Sequence, residues 1–385
     1  MTAIPCVGSV SVRSVRVRFH LSLAKASKGT RVIRSKTIRA VALTVCLLAM
    51  HCAQADVRVL LVGVGVYPYL AGKNLDGPAN DLRLMRSAVR QLAVPADNVT
   101  ELSEAAGPEM LPTRANILAA LDSLARQSGP GDWAMVYFSG HGAQVPQTLA
   151  KRRAHPEADG LDEVFLPRDT QRWVPSRGVV EGAIVDDELG AVFDKIRARG
   201  AQVWAIFDTC HAGDMTRGDN PRDTGHTVWR FVRSEDLGLP AGGASTRVRR
   251  GGLVSSSMPA AGNFPKPLPA LVRAADAQTV SYFASQSDEP AAEELFVDPA
   301  DGQTRRRFGV FTYHLHAAMA QWTGSFEALA SAVQLAYRDR PFPTPQFLGN
   351  LAQCFPAVSS AGLAVPKVCL PSVRPYSSPA AITSP

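Results

Sequence analysis

No Asp or Glu precedes Asp56, yet nine Lys or Arg stand in that stretch: Arg13, Arg16, Arg18, Lys25, Lys28, Arg31, Arg34, Lys36 and Arg39. The apolar run that follows, Ala40–Met50, is too short to span a bilayer and leads into Ala53-Gln54-Ala55, a small-x-small cleavage pattern. These features predict an export signal over residues 1–55 with a long basic n-region, and a mature chain from Asp56; a membrane anchor is the rival reading. Neither Cys46 nor Cys52 sits in a lipoprotein box, because Val45 and His51 precede them where a small residue is needed. The formal charge of the whole chain is +7, but without residues 1–55 it carries 32 basic against 34 acidic residues, or −2. The basic balance is thus an export feature, and nucleic acid or an anionic membrane surface loses its support as a partner. The expected location is periplasmic or extracellular, with no stable membrane anchor once the leader is removed.

Cofactor fingerprints are also missing. Gly63-Val64-Gly65-Val66-Tyr67-Pro68 starts like a dinucleotide loop but has Pro68 where the third glycine belongs. There is no phosphate-binding Gly-Lys-Ser/Thr loop and no His-Glu-x-x-His zinc motif. His314 and His316 are two apart on an expected helix, so they face different ways. Charged residues make up only 19% of the chain against 46% hydrophobic, which excludes a disordered polyelectrolyte and implies a packed core.

Cysteine is scarce too. Of six, Cys6, Cys46 and Cys52 belong to the leader, and Cys354 and Cys369 flank a Pro-rich stretch that a disulfide can close in an oxidising compartment. That leaves Cys210 over, either as a buried thiol or as a nucleophile.

What is present alternates apolar runs with amphipathic stretches, the pattern of a mostly parallel sheet flanked by helices. Strands are expected at Val57–Val66, Trp133–Phe138, Val203–Phe207 and Thr279–Ser285. Helices are expected over Asn80–Ala93, after an N-cap at Thr113, after Asp186 or Asp187, and over Phe308–Trp322 and Phe326–Tyr337. Residues 143–183 read as loop-rich. Residues 214–277, rich in Gly, Pro, Ser and Arg, read as a flexible loop or processing linker, and residues 356–385 as a Pro/Ser-rich tail.

Reactive groups of an open parallel sheet gather beyond the carboxyl ends of its strands. His141, in Ser139-Gly140-His141-Gly142, and Cys210, in Asp208-Thr209-Cys210-His211, each follow an expected strand. On neighbouring strands they form a Cys-His dyad, with the N–H groups of Gly142 and Cys210 placed to hold an oxyanion.

The residues around them resemble a known family. LLVGVGVYPYL, LDGPANDLRLM, TRANI, GDWAMVYFSGHG, DGLDEVFLPRD, IVDDEL, AIFDTCHAGD, ASQSDEPAAE, GVFTYHL and TPQF occur in the order seen in bacterial metacaspase-type members of the caspase-like cysteine peptidases, across roughly residues 57–355. The resemblance implies a caspase-like three-layer α/β/α sandwich over 56–355 and a dyad at His141 and Cys210. It implies that Asp81 and Asp208 clamp an Arg or Lys side chain at P1, as carboxylates do bidentately; the QAC-type motif of true caspases is absent. Substrates would be proteins or peptides with Arg or Lys at P1. The alternative readings are a helix N-terminal carboxylate for Asp81 and a turn-capping one for Asp208.

The resemblance also points to Asp162, Asp186 and Asp187 as ligands of an activating calcium, the other reading being helix capping by Asp186 and Asp187. The chemistry itself requires no cofactor. In the basic loop, Arg249-Arg250-Gly251 is either a self-cleavage site or a solvated charge run. Rival functions are a catalytically idle caspase-like binding or regulatory domain, and another Cys-His hydrolase such as an amidase.

Overall fold

Strand β1 (Val57–Gly63) sets the layers of the domain: Val57, Val59 and Leu61 enter one apolar cluster and Leu60 and Val62 the other, as period-two geometry requires. The computed structural model describes residues 55–149, 151, 157, 160–210, 227–239, 277–286, 289–322, 324–340, 343–358 and 364–365. After β1 come α1 (Gly77–Gln91), β2 (Val99–Leu102), α2 (Arg114–Gln127) and β3 (Trp133–Ser139). Five short strands follow: β4 (Gly142–Pro146), β5 (Leu161–Phe165), β6 (Trp173–Val174), β7 (Val179–Val180) and β8 (Ile184–Val185). Then come α3 (Asp186–Ala198), β9 (Gln202–Asp208), β10 (Thr227–Trp229), β11 (Thr279–Phe283), β12 (Ala292–Val297), β13 (Arg305–Gly309), α4 (Val310–Met319), α5 (Phe326–Tyr337) and β14 (Gln346–Gly349).

The central sheet has the order β14-β11-β9-β3-β1-β2. All its pairings are parallel except β11 with β14. Helices α1, α4 and α5 pack on one face through Leu82, Met85, Val89, Phe311, Leu315, Leu329 and Val333, and α2 and α3 on the other through Ile117, Leu121, Leu189 and Phe193. The fold is therefore a three-layer α/β/α arrangement, with the mostly parallel, helix-flanked sheet that the apolar pattern predicts and the layering that the resemblance implies. Pro78 stands in the first turn of α1, where a missing N–H costs nothing, and Thr113 caps α2 by accepting from Asn116 N–H.

Several expectations are corrected. Residues 143–183 are loop-rich as expected but also carry short strands: β4 pairs antiparallel with β5, β5 with β8, and β6 with β7. These strands are short, and β4 contains Gly142 and Pro146, so no long apolar run marks them. Helix α3 is not capped by Asp186 or Asp187: Val185 is its N-cap, with its N–H taken by Glu188, and both aspartates lie in the first turn. Phe308 and Gly309 end a strand rather than begin a helix, because β12 and β13 form an antiparallel pair. Residues 227–239, inside the stretch expected as loop, are ordered: β10 pairs antiparallel with β12, and Val232, Leu237 and Leu239 are buried. The C-terminal stretch carries a two-residue antiparallel ladder, β15 (Ala357–Val358) with β16 (Ala364–Val365). Among the described residues no helix is long and apolar enough to cross a membrane.

Candidate active site

Strands β3 and β9 pair in register from Trp133↔Gln202 to Ser139↔Asp208, so His141 and Cys210 leave neighbouring strands at the same end of the sheet. Chain crowding there leaves no room for a side chain at position 142, where a Cβ would overlap the Cys210 carbonyl. The glycine following His141 is thus what lets the two strand ends converge.

The imidazole of His141 is held on both sides. Its Nε2 lies 2.8 Å from the Lys73 carbonyl, which can only accept, so Nε2 carries the proton and Nδ1 is the basic nitrogen. Nδ1 is buried and has no hydrogen-bond partner, although the Arg230 carbonyl lies close enough to favour the protonated ring. Burial outweighs both carbonyls and pushes the imidazole down to about 4, so it is neutral near pH 7. The Tyr67 hydroxyl accepts from His141 N–H at 2.8 Å, and its ring packs 4.9 Å from the imidazole. Cys210 is 0% exposed, and its Sγ donates to the Glu289 carbonyl at 3.5 Å.

Asp81 and Asp208 converge from α1 and β9 on one buried guanidinium, that of Arg230. Arg230 Nη2 lies 2.5 Å from Asp81 Oδ2 and 3.5 Å from Glu293 Oε2. Nη1 donates to Ser139 Oγ at 3.1 Å and to the Asp208 carbonyl at 2.9 Å, and lies 3.0 Å from Asp208 Oδ1, out of line for a hydrogen bond. All four ionic side chains are at most 1% exposed. The carboxylates are fixed from behind: Asp81 accepts from Gly309 N–H at 2.8 Å and Ser139 Oγ at 2.8 Å, and Asp208 from Thr312 N–H at 3.0 Å and Thr312 Oγ1 at 2.6 Å. Tyr137 in turn donates to Thr312 Oγ1 at 2.6 Å. Burial pushes the Asp81 carboxyl up to about 6 even with Arg230 against it, and pushes Glu293 up as well. A Cβ on Gly77 or Gly309 would collide with the Arg230 guanidinium and with Glu293 or Asp208 respectively, so these glycines shape the pocket walls.

The main chain of this segment is bound as closely as its side chain. Arg230 N–H donates to the Ala291 carbonyl at 2.9 Å, and the Gly142 N–H expected to hold an oxyanion donates instead to the Arg230 carbonyl at 3.2 Å. Val232 N–H then donates to the Gly142 carbonyl at 3.3 Å, giving a parallel bridge between Gly142 and Phe231.

Asp162, Asp186 and Asp187 also come together, with one carboxylate oxygen from each within 4.8 Å of the others. Lys151 Nζ lies 3.2 Å from Asp162 and 2.9 Å from Asp187. Asp186 Oδ2 is buried with no partner, and burial, followed by its two acidic neighbours, pushes that carboxyl up to about 7. Three oxygen donors with charge to spare fit a hard divalent cation. Cys354 is disulfide-bonded, whereas Cys369, Arg249 and Arg250 lie outside the described residues, as do residues 1–54 of the stretch expected to be an export signal.

Sequence reasoning missed Arg230, Glu293, Ser139 and Thr312. Ser139, Glu293 and Thr312 stand inside the segments that carry the resemblance, but nothing about any of these residue types marks it as part of a guanidinium site. For Arg230 the available signal is the apolar Trp229, Phe231 and Val232 around it, a strand-like island in a polar stretch.

Residues 57–218 match the family model described as "Metacaspase, peptidase C14 domain". Among curated proteins, Metacaspase-1 of Candida albicans is 31% identical over 160 residues, 41% of this chain and 33% of that protein. Metacaspase-1 of Mycosarcoma maydis is 34% identical over 163 residues, 42% of this chain and 36% of that protein. The chain thus spans about a third of the length of these relatives. A crystal structure of a Geobacter sulfurreducens protein superposes with a TM-score of 0.50 at 21% identity, covering 77% of this chain and 97% of that one, a likeness of fold. The segment that brings His141 and Cys210 to adjacent strand ends is thus the segment the family model covers, and over residues 57–218 this chain is similar to the metacaspase peptidase C14 domain.

Proposed function

We propose that the chain is a cysteine endopeptidase that hydrolyses peptide bonds after Arg or Lys. The observation that carries this reading is the acid pocket beside Cys210, where Asp81, Asp208 and Glu293 surround a guanidinium with Ser139 as a further partner. Three buried carboxylates against one cation select a positively charged P1 side chain and repel an acidic one.

In the reaction, Cys210 Sγ attacks the carbonyl carbon of the P1 residue while His141 Nδ1 takes the thiol proton. Lys73 O holds the ring in the tautomer that leaves Nδ1 able to do so. The Gly142 N–H steadies the developing oxyanion, a contribution of about 3 kcal/mol for such a donor. The C–N bond then breaks, His141 gives its proton to the leaving amine, and water hydrolyses the thioester to restore the thiol.

Export remains part of the proposal, resting on residues 1–55. So does calcium: Asp162, Asp186 and Asp187 would hold the ion, and the charge it supplies would offset the crowding of three carboxylates where Lys151 now stands.

Purified wild type and Cys210→Ala, assayed on Arg-, Lys- and Asp-terminated fluorogenic peptides, test the activity. Cys210-dependent turnover of the Arg and Lys peptides is expected. Turnover of only the Asp peptide would overturn the specificity, and no Cys210-dependent turnover of any would favour a binding domain. Fragment mapping on the same samples tests self-cleavage at Arg249 or Arg250: an intact wild-type chain after long incubation with calcium removes it.

A further inference from the structure

We propose that Trp229–Val232 is an internal substrate mimic, lying along the cleft with Arg230 in the acid pocket, so that the folded chain is latent until this strand withdraws. The inference rests on the peptidase reading and adds its regulation.

Side chain and main chain agree in register. The Arg230 guanidinium fills the pocket proposed to bind a P1 cation. Its carbonyl is held by the Gly142 N–H beside the imidazole of His141, where a scissile carbonyl would sit. Its N–H is bound by Ala291, and β10 adds antiparallel to β12 just before it, the way an extended peptide adds to a sheet edge. On the far side of the carbonyl, Val232 continues the pairing to Gly142.

The segment is also tied down beyond the cleft. Asp236 pairs with Lys73 Nζ at 2.5 Å, on the residue whose carbonyl orients His141, and the Leu237 carbonyl accepts from Trp173 N–H at 2.7 Å. With the strand in place Cys210 is 0% exposed and His141 2%, so a protein substrate has no access to the thiol. An arginine serving only to neutralise charge would account for the ion pairs. It would not account for a carbonyl placed between the Gly142 N–H and the imidazole.

The test compares the full-length wild-type chain with Val232→Pro and Arg230→Ala. Val232→Pro deletes the N–H that bonds Gly142 and keeps the Arg230 side chain while loosening the strand that holds it in the pocket; it carries the test if Arg230→Ala loses the wild-type circular dichroism spectrum. Two readouts are used: calorimetric binding of benzamidine, a cation of guanidinium-like shape, and turnover of an arginyl peptide. An open population of about 0.1–10% in wild type predicts a gain of at least about tenfold in both on loosening the strand. A purely structural Arg230 predicts the opposite, a loss of turnover. Turnover as fast in wild type as in both variants, with equal benzamidine binding, would overturn the latch and leave the peptidase reading standing. Benzamidine entering the variants but not wild type, with no Cys210-dependent turnover, would uphold the latch and sink the peptidase reading instead.

Discussion

Asp81→Asn changes the acid pocket with almost no change of shape, and its cost depends on what else occupies the pocket. Asp81 Oδ1 accepts from Gly309 N–H and Oδ2 from Ser139 and Arg230. An amide has one acceptor oxygen, so one of these two sides must lose its bonds, and the negative charge disappears altogether. Hydrogen bonds to charged groups are worth about 1.5–3 kcal/mol each. Asp208 and Glu293 keep part of the attraction for the cation. The net loss for a bound P1 arginine is then about 2–3 kcal/mol, or roughly 30- to 150-fold in kcat/KM. If Arg230 competes for the same carboxylates, the substitution weakens the resident arginine as well as the incoming one, and the two effects partly cancel. The fall should therefore be small in the otherwise wild-type chain and reach its full size in the Val232→Pro background. Measuring kcat/KM for one arginyl peptide across the four proteins of this cycle gives the coupling directly. An equal fall in both backgrounds would refute competition for the pocket. No fall in either would refute Asp81 as a P1 ligand.

Two further outcomes follow from the charged groups around the site. The His141 imidazole, pushed down to about 4 by burial, takes up its proton in the unfolded chain near 6.5 but in the native chain only near 4. The unfolded state therefore binds more protons within that window, and native stability falls as pH drops from 6.5 to 4, by on the order of 3 kcal/mol. Urea unfolding at several pH values should show this slope flattened in His141→Gln, and an unchanged slope would contradict the buried neutral ring. At the aspartate cluster, millimolar calcium should raise Tm, with stabilisation of about 2.7 kcal/mol at a hundred times its Kd. The rise should be larger in Lys151→Gln, which removes the competing ammonium, and absent in Asp162→Asn; no calcium-dependent shift in any of the three would eliminate the site.

The parts of the fold legible in the sequence are those whose signal is local. Trp133–Phe138 and Val203–Phe207 are continuous apolar runs because both faces of the sheet are covered, and their flanking Ser-Gly-His-Gly and Asp-Thr-Cys-His segments place the expected dyad on neighbouring strands. Strands β12 and β13 escaped because they are charged and partly exposed: Ala292–Val297 contains two glutamates and Arg305–Gly309 three arginines. Their antiparallel pairing becomes evident only in the ladder that joins them.

Asp81 and Asp208 could be picked out as cation ligands, but not that the chain supplies a cation to them. Arg230 reaches Asp81 across 149 residues and Glu293 across 63, so no window of sequence contains the site. Composition pointed the wrong way, since Gly, Pro, Ser and Arg around 214–277 suggested solvated chain. The physical argument that overrides composition is the cost of burial. A guanidinium that is 0% exposed persists only where opposite charges surround it, and carboxylates as deep as Asp81, Asp208 and Glu293 need a cation for the same reason. Each side makes the other tolerable, so withdrawing Arg230 leaves three buried carboxylates that must take up protons or another cation. The attraction that closes the cleft on the chain's own arginine is thereby the attraction that would draw in a substrate's.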